Sequence, residues 1–193
     1  MSYRQVILKS FGGPDRLSVT ENDVLPRPGP GQVRVKVLFT CANFTDVMIR
    51  KGMYPDVKQK PPFSPGYDMI GVVDGVGRDA HRFPVGQVVA DLTVIGAYSQ
   101  YICLDERRLT PVPGGVDLQQ AVCMVLTYVT AWQMMHRVAE VQQGARILVH
   151  GASGAVGTAM LQIGRIHDLA MIGTASVSRA DLVRELGATP IDY

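Results

Sequence analysis

Apolar and polar residues alternate cleanly over Val33-Arg34-Val35-Lys36-Val37, a pattern that puts one face of a strand in a core and the other toward water. Residues 3–9 and 17–21 alternate enough to predict two short strands around a Gly-Gly-Pro turn. The run Pro26-Arg27-Pro28-Gly29-Pro30-Gly31 continues neither strand and predicts a tight loop. Residues 43–50 predict a short helix with Asn43 at its N-cap, and the proline-rich residues 51–66 a loop. Apolar strands follow over 69–76 and 87–93, joined through glycines and Pro84, and a further strand over 98–104. This half reads as an irregular, glycine-punctuated β structure.

The texture changes from Leu118 onward. Residues 118–139 predict one or two helices, and the apolar run Ile147-Leu148-Val149 predicts a buried strand. A glycine-rich turn, Gly151-Ala152-Ser153-Gly154-Ala155-Val156-Gly157, leads into a helix over 158–166, and a second strand over 170–173 follows at βαβ spacing. Strand, turn and helix together read as a dinucleotide-binding element. Gly151 lets the chain turn sharply off the strand, Gly154 leaves room for a pyrophosphate to approach the backbone, and Gly157 lets the helix pack closely. The helix N-terminus then offers free N–H groups and a positive dipole end to phosphate. Ser153, Ala155 and Val156 complete the candidate cofactor-binding turn. The alternative is an ordinary glycine turn at a helix start. The domain change is expected near residue 125, giving domains 1–125 and 126–193.

Composition narrows the function classes. The formal net charge is +2, which provides no electrostatic case for nucleic acid or an anionic membrane as partner. Cys41, Cys103 and Cys123 are far apart and include no Cys-x-x-Cys pair, so neither a disulfide framework nor a zinc ribbon is expected, and a reducing cytoplasm fits. The start, Met1-Ser2-Tyr3-Arg4-Gln5, lacks the apolar core of a signal peptide, and the apolar run 121–132 is too short to span a bilayer.

The order of motifs resembles the medium-chain dehydrogenase/reductase superfamily, and more closely its zinc-free quinone oxidoreductase branch, which includes zeta-crystallin-like and vesicle amine transport-like proteins. Asn43-Phe44-Thr45-Asp46 with Ile49-Arg50-Lys51-Gly52, then Pro65-Gly66 before Gly71-Val72-Val73, carry the likeness. Val85-Gly86-Gln87-Val88-Val89, Gly96-Ala97-Tyr98, Leu126-Thr127-Tyr128-Val129-Thr130-Ala131-Trp132, the glycine turn and the ending 186–193 add to it. The resemblance implies an α/β chain: a GroES-like catalytic β domain, then a Rossmann NADP-binding domain with a doubly wound parallel sheet. Only the first half of such a sheet is accounted for, so the expected Rossmann domain is partial, and its open strand edge invites a homo-oligomer or another partner to cover it.

The zinc ligands of the superfamily's alcohol dehydrogenases correspond here to Asn43, Tyr67 and Leu126, none of them a good ligand, and no metal is expected. The compatible chemistry is hydride transfer to an acceptor that is already activated, a quinone or an α,β-unsaturated carbonyl. Asn43 and Tyr67 are the candidate catalytic residues. Asn43 holds a carbonyl oxygen or ribose, or caps its helix; Tyr67 donates a proton or hydrogen bond, or fills the volume a metal ligand vacated. Thr130 matches a threonine beside the nicotinamide in the family, or bonds back to its own helix. Trp132, Met134 and Met135 read as core, and His136, His150 and His167 as structural. After the second strand, Ala175 stands where NAD-binding proteins place a carboxylate, while Ser176 and Arg179 suit a 2′-phosphate and Tyr193 matches a family tyrosine near it, so NADPH is the expected cofactor. The competing expectation is a truncated, non-catalytic nucleotide-binding or protein-interaction module of the same fold.

Overall fold

The structure, a computed structural model, describes residues 1–192. The reading of Tyr193 as a cofactor contact lies outside the described residues. The chain divides into two compact units, Met1–Val125 and Leu126–Tyr193.

In the first unit, β1 (Tyr3–Leu8) and β2 (Leu17–Asn22) form an antiparallel hairpin. Strand β3 (Gln32–Phe39) leads into helix α1 (Phe44–Arg50), and β4 (Met69–Val76), β5 (Val88–Asp91), β6 (Tyr101–Asp105) and β7 (Thr110–Pro111) complete a sheet of order β6-β3-β4-β5-β7. The alternation in β3 does what the pattern required, since Val33 and Val35 are fully buried with Met69, Val73, Phe83, Val89 and Leu104. Two predicted strands are shorter than expected. Residues 98–100 bond sideways instead of extending β6: the Tyr98 N–H donates to the Pro65 carbonyl (2.9 Å) and its carbonyl accepts from Val6 N–H (2.8 Å).

Helix α2 (Leu118–Trp132) is followed directly by a π-helical segment, Gln133–Val138, so the predicted stretch is helical from Leu118 to Val138. In the second unit, β8 (Arg146–Val149), α3 (Ala155–Ile166), β9 (Ala170–Thr174), α4 (Ala180–Glu185) and β10 (Thr189–Ile191) form a parallel sheet of order β10-β9-β8. Its core gathers Ala131, Met135, Val149, Ala152, Ala159, Leu161 and Val183. Helix α3 starts three residues before the predicted point, because Gly154 is extended (φ −81°, ψ 172°) and serves as N-cap. Helix α4 has no counterpart in the sequence reading, being too short to show a period. Trp132 and Met134 are 48% and 44% exposed, which corrects their reading as core; Met135, at 1%, is core. Within the π segment Met135 turns inward, while the Trp132 ring packs against that of His136, tilted by 43° with 3.9 Å between ring centres. Among the described residues no helix is long and apolar enough to cross a membrane.

Candidate functional site

In the first unit, the turn from β3 into α1 and the start of β4 meet at a buried carboxylate. Asp68 is 1% exposed; one of its oxygens accepts the Cys41 N–H (3.0 Å) and the other the Asn43 side-chain amide (3.1 Å). Asp46, also buried, accepts the Asn43 backbone N–H at 2.9 Å, as a third helical residue does in a capping box. Asn43 is therefore both N-cap and polar presenter. With one N–H committed to Asp68 and the oxygen turned to the capping box, its side chain still has a second N–H to offer. Burial pushes the carboxyls of Asp68 and Asp46 above the usual range, opposed at Asp68 by the Cys41 and Asn43 donors.

Tyr67 precedes Asp68 and is 7% exposed. Its hydroxyl lies 2.8 Å from that of Tyr54, with the rings edge to face at 5.7 Å. Burial, then the bond to Tyr54, raises the Tyr67 pKa, so the phenol holds its proton throughout the neutral range. Asn43 and Tyr67 make no hydrogen bond to each other; what joins them is Asp68. Gly66 fixes the approach to this pair. Its φ is +105°, and a Cβ there would lie 2.4 Å from Tyr98 N. A cavity of about 290 Å³ opens beside Asn43 and Asp46, bounded by Leu17, Arg50, Pro65 and Tyr98.

In the second unit the site is made of backbone. Gly151 turns at φ +66° with open space where a Cβ would point. Gly157 is enclosed: a Cβ on it would lie 2.5 Å from the Gly151 carbonyl and 2.7 Å from Ala152 Cα, so it packs α3 against the turn itself. Thr158 N–H bonds to the Gly154 carbonyl at 2.8 Å, which leaves the N–H groups of Ala155, Val156 and Gly157 without an intrahelical acceptor. Thr174, buried at the end of β9, ties the turn down. Its hydroxyl accepts Gly151 N–H (3.1 Å) and its carbonyl accepts Ala152 N–H (2.9 Å). Ala175 is buried, Ser176 is half-buried with its hydroxyl 3.2 Å from that of Ser178, and Arg179 is exposed at the start of α4, with its N–H on the Ser176 carbonyl. Arg179 makes no ion pair among the described residues. Free N–H groups, a turn with no obstructing side chain, a hydroxyl and an unpaired guanidinium fit the phosphates of a dinucleotide.

Thr130 donates its hydroxyl to the Leu126 carbonyl at 2.8 Å, which leaves the oxygen as an acceptor only. Among the described residues no three His, Cys, Asp or Glu side chains converge as a metal site. Sequence reasoning missed Thr174, Asp68 as the residue holding Asn43, and the Tyr54 partner of Tyr67. All three act across separations that leave no local pattern.

Residues 29–114 match the alcohol dehydrogenase GroES-like domain. A quinone oxidoreductase of Rattus norvegicus is 35% identical over 189 residues, covering 96% of this chain and 56% of that protein. A synaptic vesicle membrane protein VAT-1 homolog of Danio rerio is 31% identical over all of this chain and 40% of its own length. A mycobacterial protein solved in complex with NADPH superposes with a TM-score of 0.88 at 28% identity, over 98% of this chain and 58% of that one. The chain thus spans about half the length of the curated relatives it matches.

Proposed function

Because the chain belongs to the medium-chain dehydrogenase/reductase superfamily, we propose that it forms the acceptor and nucleotide sites of a cytoplasmic, zinc-independent oxidoreductase that reduces a quinone or an α,β-unsaturated carbonyl with NADPH. The observation that carries this reading is the end of β9, where Thr174 secures the glycine turn and is followed by Ala175, Ser176 and Arg179 with no carboxylate among them. A carboxylate there would repel a 2′-phosphate; a serine and an unpaired arginine attract one. The Gly151–Gly157 turn, Ser153 included, and the first N–H groups of α3 would hold the pyrophosphate, and Thr130 would accept a bond from the nicotinamide end.

When bound, the nicotinamide supplies hydride. The residues of the first unit handle the oxygen of the acceptor. Asn43, braced by Asp68, donates its remaining amide N–H to a carbonyl oxygen. Tyr67, kept protonated by its burial, donates to the oxygen as negative charge builds there, and Tyr54 hydrogen-bonds to Tyr67 and orients its hydroxyl. No polarising metal is needed, because a quinone or enone is already electron-poor.

A second reading has one observation in its favour. Strands β8 and β10 each have an unpaired edge among the described residues, and Leu148 and Ile191 on them are 52% and 48% exposed, as suits a nucleotide-binding module that recruits a partner or a second copy by strand pairing. NADPH consumption with a simple quinone separates the two. The enzyme reading expects turnover when residues 1–193 are fused to the C-terminal part of the rat quinone oxidoreductase, and little from residues 1–193 alone. A fusion that binds NADPH but reduces no quinone or enone favours the module.

A further inference from the structure

The thiols of Cys41 and Cys123 lie 3.8 Å apart, in contact, although 82 positions separate them in the chain. Both belong to the first unit. Cys123 is exposed on the first half of α2, its sulfur 3.4 Å from the Gln119 carbonyl. Cys41 is half-buried where β3 turns toward α1. Its main chain is held on both sides, the N–H by Asp68 at 3.0 Å and the carbonyl by the Tyr98 hydroxyl at 3.3 Å. The Cys41 side chain is thus the part free to turn toward its neighbour. Cys103 lies on β6 and is half-buried.

We propose that Cys41 and Cys123 are a peroxide-sensitive modification site that closes reversibly into an intramolecular disulfide. Side-chain rotation has to bring the sulfurs from contact to a bond length of about 2.05 Å. The two cysteines take different parts. Burial, reinforced by the Asp68 carboxylate, pushes the Cys41 thiol up to about 12, which makes it a poor first nucleophile. Exposed Cys123 attacks first. Its thiolate forms an S–O bond as the O–O bond of hydrogen peroxide breaks, leaving a sulfenic acid and, after protonation of the departing hydroxide, water. Cys41 sulfur then attacks the Cys123 sulfur; the S–S bond forms, the S–O bond breaks, and the Cys41 proton leaves with the oxygen as a second water. One peroxide is reduced by two electrons and the pair of thiols is oxidised by two. Asn43 follows two residues after Cys41, so the bond ties the segment that presents Asn43 to α2. A cellular dithiol reverses it.

The test uses the reduced chain and hydrogen peroxide as the probe. Free thiols, counted after denaturation, should fall from three to one, with a loss of two hydrogens in the intact mass, no linked dimer on a non-reducing gel, and full return on adding dithiothreitol. Peptide mapping should join Cys41 to Cys123. Cys41→Ser and Cys123→Ser should each abolish the two-hydrogen loss, whereas Cys103→Ser should respond like the unaltered chain. Because Cys123 is exposed, its serine variant folds even if the Cys41 variant does not. Disulfide-linked dimers, a thiol count unchanged by peroxide, or oxygen added to Cys123 with Cys41 still free would each overturn the assignment.

Discussion

The two units build their candidate sites from opposite materials. In Met1–Val125 the working groups are side chains, those of Asn43, Tyr67 and Tyr54, positioned by a buried carboxylate at Asp68. In Leu126–Tyr193 they are mostly main-chain N–H groups at the start of α3, freed by glycine and fastened by Thr174. A side-chain site is altered by deleting atoms, and a backbone site by adding them. That difference makes the two separable by mutation.

The largest effect is expected where a glycine positions side chains. Gly66→Ala places a Cβ against Tyr98 N at a φ of +105°, and strain and overlap together should cost about 3 kcal/mol or more in urea unfolding. Gly157→Ala meets backbone at 2.5 Å and should cost about 1–3 kcal/mol. It should also weaken nucleotide binding, since α3 can no longer approach Gly151. If Gly157→Ala kept full NADPH affinity, the pyrophosphate would not lie on this turn.

Removing side chains should show the reverse behaviour. Asn43→Ala strands one oxygen of the buried Asp68 carboxylate and should cost about 1–3 kcal/mol of stability while leaving nucleotide affinity unchanged. Tyr67→Phe deletes the bond to Tyr54 and should cost about 1 kcal/mol. In an active fusion it should lower kcat with little change in NADPH binding. A loss of NADPH affinity in either variant would erase the distinction between the sites.

Much of the second unit was legible in the sequence because its demands are local. A positive φ at Gly151 and a close contact at Gly157 each need glycine at a fixed place in a short run, so the pattern itself carries the geometry. The first unit was legible as strands, through the alternation that buries Val33 and Val35, but not as a site. Asn43 was singled out, yet Asp68, which orients it, stands 25 residues away, beyond the reach of any local pattern. The contact of Cys41 with Cys123 was invisible for the same reason. Trp132 read as core on composition; the π segment after it is a backbone irregularity that side-chain periodicity does not record.

A smaller effect should appear with pH. Burial holds the Asp68 carboxyl above its ordinary range, so the folded chain favours the neutral acid. Its contribution to stability is full below the unfolded value of about 3.9 and is lost as pH rises through the higher folded value. Asp68→Asn should therefore flatten the decline of the urea midpoint as pH rises from about 3.9 through the folded value, while Thr174→Val should leave that slope alone.

Selection of a 2′-phosphate by the end of β9 is measured by titrating NADPH and NADH into the unaltered chain and into Arg179→Ala. The unaltered chain should bind NADPH more tightly than NADH, and Arg179→Ala should lose about 1.5–3 kcal/mol for NADPH with NADH nearly unaffected. Equal weakening of both nucleotides, or a preference for NADH at the outset, would contradict it.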